Sequence, residues 1–514
     1  MKTNRRKFIL EAAKAGAAAA IASAGRASQP PSRPNILIIH TDEHRIDCLG
    51  AYGNSEIRTP AINALAADGV RFANSFCPYP VCAPSRYSFL SGLWVHEHQG
   101  WSNHCTLRPG TPTFASILRD AGYRTKAVGK MHFTPTYLDV GFDELELAEQ
   151  DGPGRFDDDY HRHLKSLSLI DALDIQDQRA EYRGKAPPEY WRNFGAQASN
   201  LPEEHHSTTW IAERAMRTLE RWTPCGNLLM VGFIKPHHPF DPPVPWDSRY
   251  NPEKISPLPG WIEVPLPGDI ETSPGYFPHV NLNSNALRRV TAYYYATISQ
   301  IDFHVDRMVR LLKEKGLYHD ALIIFTSDHG DYMGFHHLLL KGNLMYDPVV
   351  KVPLIIKYPG REHRGTTSHA LVGTVDVAPT ILRRAGLRVG RNMGGLDLAQ
   401  GEEREIIFAD GGNQLMARTR RHKLIVRKPA EKSLFFDMEA DPLELRNLYG
   451  EAKHMQEIAR LTHAITSWRN PEISTKPYLD EDAPVIHRPN VPPRDDNHRQ
   501  EMIAYFQKKM DERQ

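Results

Sequence analysis

Three acidic side chains, Asp42, Glu43 and Asp328, stand close behind short apolar runs at Asn35 to His40 and Leu322 to Thr326, and His329 follows the last of them. Carboxylates are hard oxygen donors for a divalent cation, and a cation held there would neutralise a sulfate or phosphate ester. The same positions also suit ordinary turns, with Asp42 and Glu43 capping the next segment and Asp328 closing a bend. His329 offers nitrogen, which calcium accepts less readily than oxygen, so donor type alone leaves the metal open. His237 and His238 follow a third such run, Leu228 to Ile234. Cys82 precedes Ala83, Pro84, Ser85 and Arg86, a composition that reads as a loop entering a helix with Pro84 and Ser85 in its first turn. Backbone N–H groups at such a start favour an anion. A lone cysteine is more often a small buried hydrophobe, and a lone lysine or histidine a surface or structural group. The proline, serine and arginine behind Cys82 favour chemistry instead.

These residues are far apart in sequence, so the fold must gather them. Short β-branched runs alternate with helical patterns, which predicts βαβ units and a parallel sheet. Strands are expected at Asn35 to His40, Arg124 to Val128, Leu228 to Ile234, Leu322 to Thr326 and Val352 to Ile356. Every loop leaving their carboxyl ends then lies along one edge, where open α/β sheets bind ligands. Thr59 with Pro60, and Thr111 with Pro112, read as paired helix starts, for helices through Ala67 and Asp120. Ile298, Ile301, Val305, Met308, Val309 and Leu312 line one face of a long helix that Gly316 ends. The proline-dense stretch Lys235 to Tyr276 reads as an irregular rim, Asp151 to Glu204 as an insertion, and His96 with His98 as loop. After about Gly395 short strands appear, at Lys423 to Arg427 and Leu434 to Asp437.

With 514 residues the chain exceeds what one core usually organises, which predicts a large domain and a smaller one. A formal net charge of +1 gives no electrostatic case for nucleic acid or an anionic membrane surface. Arg5 and Arg6 ahead of the Ala-rich run Ala12 to Ala24 read as a twin-arginine export signal spanning residues 1–27. That run is too short and too weakly apolar for a membrane anchor, so the mature protein is expected in a bacterial periplasm or outside the cell. The five cysteines contain no C-x-x-C pair, which argues against a zinc ribbon or a thioredoxin-type motif.

Residues 82–86 match the C-x-P-S-R signature of sulfatases, and the resemblance continues along the chain. Gly122, Tyr123, Arg124 and Thr125 through Gly129, Lys130, Met131 and His132 resemble the family's second signature. Lys235, Pro236, His237, His238, Pro239 and Phe240 are similar to its K-P-H-x-P-F motif. Thr326 to Asp331 with Gly334, His336, Lys341 and Gly342 resemble its T-S-D-H-G-D block, and Val375 to Thr380 and Asp437 to Leu448 its later landmarks.

The resemblance implies an α/β fold of alkaline phosphatase type, a mostly parallel sheet flanked by helices, with a catalytic domain over 34–395 and a smaller C-terminal α+β subdomain and tail over 396–514. It implies hydrolysis of sulfate esters on a sulfated small molecule or carbohydrate. The nucleophile is then a formylglycine made from Cys82 by a formylglycine-generating maturation enzyme. One divalent ion, usually calcium, would be held by Asp42, Glu43, Asp328, His329 and residue 82. Arg86 would orient the formylglycine. Lys130, His132, His237 and Lys341 would contact the sulfate, with His237 and Lys341 near the leaving oxygen, and Asn103 would help line the pocket. Three positions depart from the family pattern: Leu93, where the extended signature has a basic residue, Glu43 for aspartate or glutamine, and His329 for asparagine. Two other readings share these residues: a phosphonate monoester or phosphodiester hydrolase of the same superfamily, and a non-catalytic binder of sulfated glycans.

Overall fold

Eight segments pair into one sheet: β1 (Ile36–Asp42), β2 (Val70–Phe76), β3 (Arg124–Gly129), β4 (Glu144–Leu147), β5 (Asn227–Pro236), β6 (Leu322–Ser327), β7 (Leu354–Lys357) and β8 (Thr366–Gly373). The computed structural model describes residues 33–150, 154–342, 344–390, 392–469, 478–479 and 496–513, so the twin-arginine segment lies outside the described residues. Spatial order is β4-β3-β5-β1-β6-β7-β2-β8. At its centre β1 runs parallel to both neighbours, with Ile38 beside Met230 of β5 and Ile324 of β6. All residues of β1, β5 and β6 are buried, as the unbroken apolar runs of a sheet covered on both faces require. Leu37 and Ile39 face one core and Ile36 and Ile38 the other.

The sheet is mostly parallel, as expected, with one exception: β7 runs antiparallel to both β6 and β2. The chain between β6 and β7 crosses the sheet's carboxyl edge through Asp328 to Gly342 and one short helix, Asp347–Val350. Without a crossover helix on either face it can only return in the opposite direction.

Five helices bear on the site: α1 (Cys82–Ser91), α2 (Ala172–Gln178), α3 (Ser207–Glu220), α4 (Ser284–Glu314) and α5 (Asp496–Asp511). In α4 the apolar face continues N-terminally beyond Ile298 through Tyr294, Val290 and Leu287. Asn283 caps its start by accepting from the N–H groups of Asn285 and Ala286. The helix Phe114–Asp120 is capped by Thr113 rather than Thr111. Thr113 accepts from Ser116 N at 3.0 Å and donates to the Val140 carbonyl, and a cap of this kind contributes about 1 kcal/mol. His96 and His98 are also not loop. They lie on the buried helical turn Val95–His98, where His98 Nε2 is 2.8 Å from Ser88 Oγ of α1.

The C-terminal part forms a four-stranded antiparallel sheet from β9 (Ile407–Asp410), β10 (Leu415–Arg418), β11 (His422–Val426) and β12 (Leu434–Asp437). Buried Lys423 ties it to the main body, 2.9 Å from Asp347 and 2.7 Å from Glu444. The described part of the expected insertion, residues 154–204, is largely helical, and α5 packs on it through Met502, Phe506 and Met510 against Phe156, Ile170 and Ile175. No helix among the described residues is long and apolar enough to cross a membrane. None of the five cysteines is in a disulfide.

Candidate active site

The ends of β1 and β6 and the start of α1 meet at one point. Cys82 opens α1 and is buried, with Sγ 3.6 Å from Asp42 Oδ1 and 3.3 Å from His329 Nε2. His329 Nε2 lies 3.9 Å from both Asp42 Oδ1 and Asp328 Oδ1. One donor atom from each of Asp42, Cys82, Asp328 and His329 can be chosen so that all lie within 4.8 Å of one another. The Nδ1 atom of His329 lies 2.9 Å from the Gly330 carbonyl. In the neutral ring, donation there would leave the Nε2 lone pair facing the cluster.

Arg86 binds the carboxylates rather than Cys82. Its Nε donates to Asp328 Oδ2 at 2.8 Å, Nη2 to Asp42 Oδ2 at 3.0 Å, and Nη1 to the Lys130 carbonyl at 2.7 Å. Lys130, at the end of β3, lies with Nζ 2.8 Å from Asp42 Oδ2. Despite burial, the charges of Lys130, Arg86 and Lys341 hold Asp42 well below the usual carboxylate range. Burial opposes a charged His329, yet Asp328 and Cys82 raise it to about 9, the mark of an anionic centre that favours positive charge.

Glu43 sits one residue beyond Asp42 at φ 63, and its carboxylate turns toward a second group. Oε2 accepts from Lys341 Nζ at 3.0 Å and lies 3.2 Å from His237 Nε2. Oε1 is buried without a hydrogen-bond partner among the described residues, and the Glu43 N–H donates to Asp328 Oδ1 at 3.2 Å. Two carboxylates, an imidazole and residue 82 fit a divalent cation by donor chemistry and spacing, while Glu43 groups instead with His237 and His238. Lys341 Nζ is 2.7 Å from His237 Nε2. Burial, with Lys341 beside it, holds His237 well below the ordinary histidine range. It is therefore neutral, with Nδ1–H donated to the His238 carbonyl at 2.6 Å and Nε2 accepting from Lys341.

Asn103 accepts the Ala83 N–H at 3.1 Å, fixing the first turn of α1 beside Cys82. His132 is buried at φ 57, and its backbone N–H donates to Glu149 at 3.0 Å. Lys235 of the K-P-H-x-P-F run is turned inward, bonded to Asp241 and to the Pro239 carbonyl.

A layer that sequence reasoning missed stands behind His237. His238 stacks on it with ring centroids 4.2 Å apart, and His238 Nδ1 is 2.6 Å from both Asp177 Oδ2 on α2 and Tyr276 OH. Asp177 also accepts from Tyr190 OH at 2.6 Å. Gln150 accepts from Lys130 Nζ at 3.2 Å and donates to the His238 carbonyl at 2.8 Å and to Asp174 at 2.7 Å. The one usable signal was the doubled histidine itself, since only His237 had a motif role.

A nucleophile candidate at a helix start, ringed by carboxylates and lysines at the carboxyl edge of an α/β sheet, defines a hydrolase of charged esters. The Sulfatase family model matches residues 34–387; the chain belongs to that family, whose reaction is the hydrolysis of sulfate esters. It is 29% identical over 456 residues to an arylsulfatase of Clostridium perfringens, covering 83% of this chain and 92% of that protein. An N-acetylglucosamine-6-O-sulfatase of Bacteroides thetaiotaomicron is 25% identical, with 94% and 93% covered. Among solved structures, a phosphonate monoester hydrolase from Silicibacter pomeroyi superposes with a TM-score of 0.69 at 24% identity, covering 85% of this chain and 95% of that one. This last likeness shows the shared alkaline phosphatase-type fold.

Proposed function

We propose that this sulfatase removes sulfate from a carbohydrate, working through a formylglycine formed from Cys82 beside a calcium ion. The observation that carries the reading is the placement of Cys82 at the start of α1, against Asp42, Asp328 and His329, with two lysines on the same edge. Asp42, Glu43, Asp328, His329 and residue 82 would hold the ion. Together the ion and the hydrated aldehyde supply an activated oxygen nucleophile.

The chain's own side chains do the rest. Arg86 keeps the two carboxylates facing the ion by bridging them, which makes it a positioning residue. Lys130 and Lys341 place ammonium groups where sulfonyl oxygens would lie, and such fixed charge is commonly among the largest catalytic contributions. Neutral His237 cannot by itself donate from Nε2. The Lys341 ammonium, oriented by its bond to that atom, carries the proton and is the group placed to protonate the departing sugar oxygen. His132 and Asn103 complete the wall beside Cys82.

The sugar assignment is supported by the N-acetylglucosamine-6-O-sulfatase relative. We assign residues 34–395 to the catalytic domain and 396–514 to the subdomain and tail. Arg5, Arg6 and the following Ala-rich run support twin-arginine export to the periplasm. The test is the mass of the residue-82 peptide from protein co-expressed with a formylglycine-generating enzyme, followed by rates on the sulfate and phosphonate esters of one phenol. An aldehyde and a faster sulfate ester are expected. An intact thiol in that protein would remove the nucleophile and leave a glycan binder.

A further inference from the structure

Beside the active-site mouth the C-terminal sheet forms a separate cavity of about 220 Å³ whose lining includes Gln414, Arg427, Lys428, Lys432 and Glu271. Arg427 is only 8% exposed, and its Nη2 has no hydrogen-bond partner among the described residues. Its Nε donates to Gln414 Oε1 at 3.1 Å, and no ion pair engages it among the described residues. A buried guanidinium without a direct ion-pair partner is costly, and its planar donor fork suits a tetrahedral oxyanion. Burial alone lowers its proton affinity, against weaker opposition from Tyr346 and Asp269. Both neighbours are otherwise engaged, Tyr346 OH donating to Asp269 at 3.0 Å. Glu271, the carboxylate in the lining, is 3.5 Å from Lys432, so the wall carries an excess of positive charge in a chain whose net charge is +1.

Its position ties it to the reaction. On one side Gly411 lines the cavity, and the adjoining Asp410 N–H donates to the Pro78 carbonyl at 2.8 Å, in the loop that runs into Cys82. On the other side stand Glu271 and Thr272, and the next residue, Ser273, packs so closely on Gly342, beside Lys341, that a Cβ there would collide with it. Both walls therefore continue directly into the catalytic edge.

We propose that this cavity binds a second sulfate group, carried on a sugar next to the one desulfated at residue 82, so that the substrate is a polysulfated oligosaccharide. This rests on the carbohydrate reading above. The test uses two readouts on the full chain. In a Cys82→Ala background, binding of a heparin tetrasaccharide is measured by calorimetry with and without Arg427→Gln. In matured enzyme, kcat/KM is compared on 4-nitrophenyl sulfate and on the same tetrasaccharide. Arg427→Gln should weaken tetrasaccharide binding by about tenfold, as expected for one charge-assisted pair, and should cost the tetrasaccharide far more kcat/KM than the aryl ester. Should Arg427→Gln fail to fold, Lys428→Ala with Lys432→Ala, both exposed positions, gives the same comparison with a smaller loss. Unchanged tetrasaccharide affinity, or equal losses on both substrates, overturns the second-sulfate site while sulfate-ester hydrolysis stands. A matured enzyme inactive on every sulfate ester, with binding still lost in Arg427→Gln, overturns the functional reading while the site stands.

Discussion

Two layers of the active site differ in how the chain builds them. The front layer, Asp42, Cys82, Lys130, Asp328 and His329, is delivered by strand ends and the start of one helix, so its members sit within a residue or two of elements that the sheet fixes. The back layer, Asp177, Tyr190, Tyr276 and His238 with Gln150 just beyond β4, comes mainly from an insertion and a proline-rich rim that meet only in the folded molecule. Secondary-structure order is enough to place the first. The second depends on long-range packing, including α5 on the inserted helices.

The largest effect should come from removing the cation, which tests the front layer as a unit. Asp42 and Asp328 are buried side by side, with Arg86 and Lys130 as nearby positive partners. Exhaustive chelation is expected to abolish turnover of an aryl sulfate, with calcium restoring it. Full activity in metal-free enzyme would sink the cation's role.

Next in size is Lys341→Ala. It removes the ammonium that contacts both Glu43 and His237, and loss of one such preorganised charge lowers kcat by about 10²–10³. The fold should survive, because Lys341 retains some solvent access, its side chain being 18% exposed. Near-normal kcat would take Lys341 out of the mechanism.

Asp177→Asn probes the back layer alone. It weakens the partner of His238, which stacks on His237 and whose carbonyl fixes the His237 Nδ1–H. Losses of about 10- to 100-fold are typical when such an outer partner is removed. A fall in kcat with KM nearly constant, and a shifted pH profile, would mark positioning of His237. A fall in thermal stability with kcat unchanged would reduce Asp177 to a packing role and erase the distinction between the layers.

Much of the front layer was legible because strand ends carry it: runs such as Ile36 to Ile39 betray a doubly covered strand, and the residues after such a run must reach the carboxyl edge. The antiparallel β7 was not legible, since Leu354 to Ile356 is apolar in either direction and only the missing crossover helix sets its sense. The orientation of Glu43 was equally hidden. Adjacent to Asp42 in sequence, it turns through a left-handed φ toward Lys341, a partner that chain spacing could not reveal. Arg427 gave no signal either, because an arginine ending a short strand is ordinarily a solvated charge.

The smallest effect concerns His98, whose neighbours in sequence suggested loop although it backs the front layer. Its Nδ1 accepts the Gly100 N–H at 3.0 Å, and its Nε2 contacts Ser88 of α1. Burial, with His96 adding to it, lowers His98 to about 3 from an ordinary 6.5. The unfolded chain therefore binds the extra proton first, so stability from this residue is full above pH 6.5 and is lost as pH falls from 6.5 toward 3. At pH 5 the loss is about 2 kcal/mol. In urea unfolding, His98→Gln should be destabilised at pH 7 yet lose less between pH 7 and 5 than the unsubstituted protein, by about that amount. Equal losses in both would mean that His98 takes up its proton in the folded state, and that the back of α1 is open to water where the structure closes it.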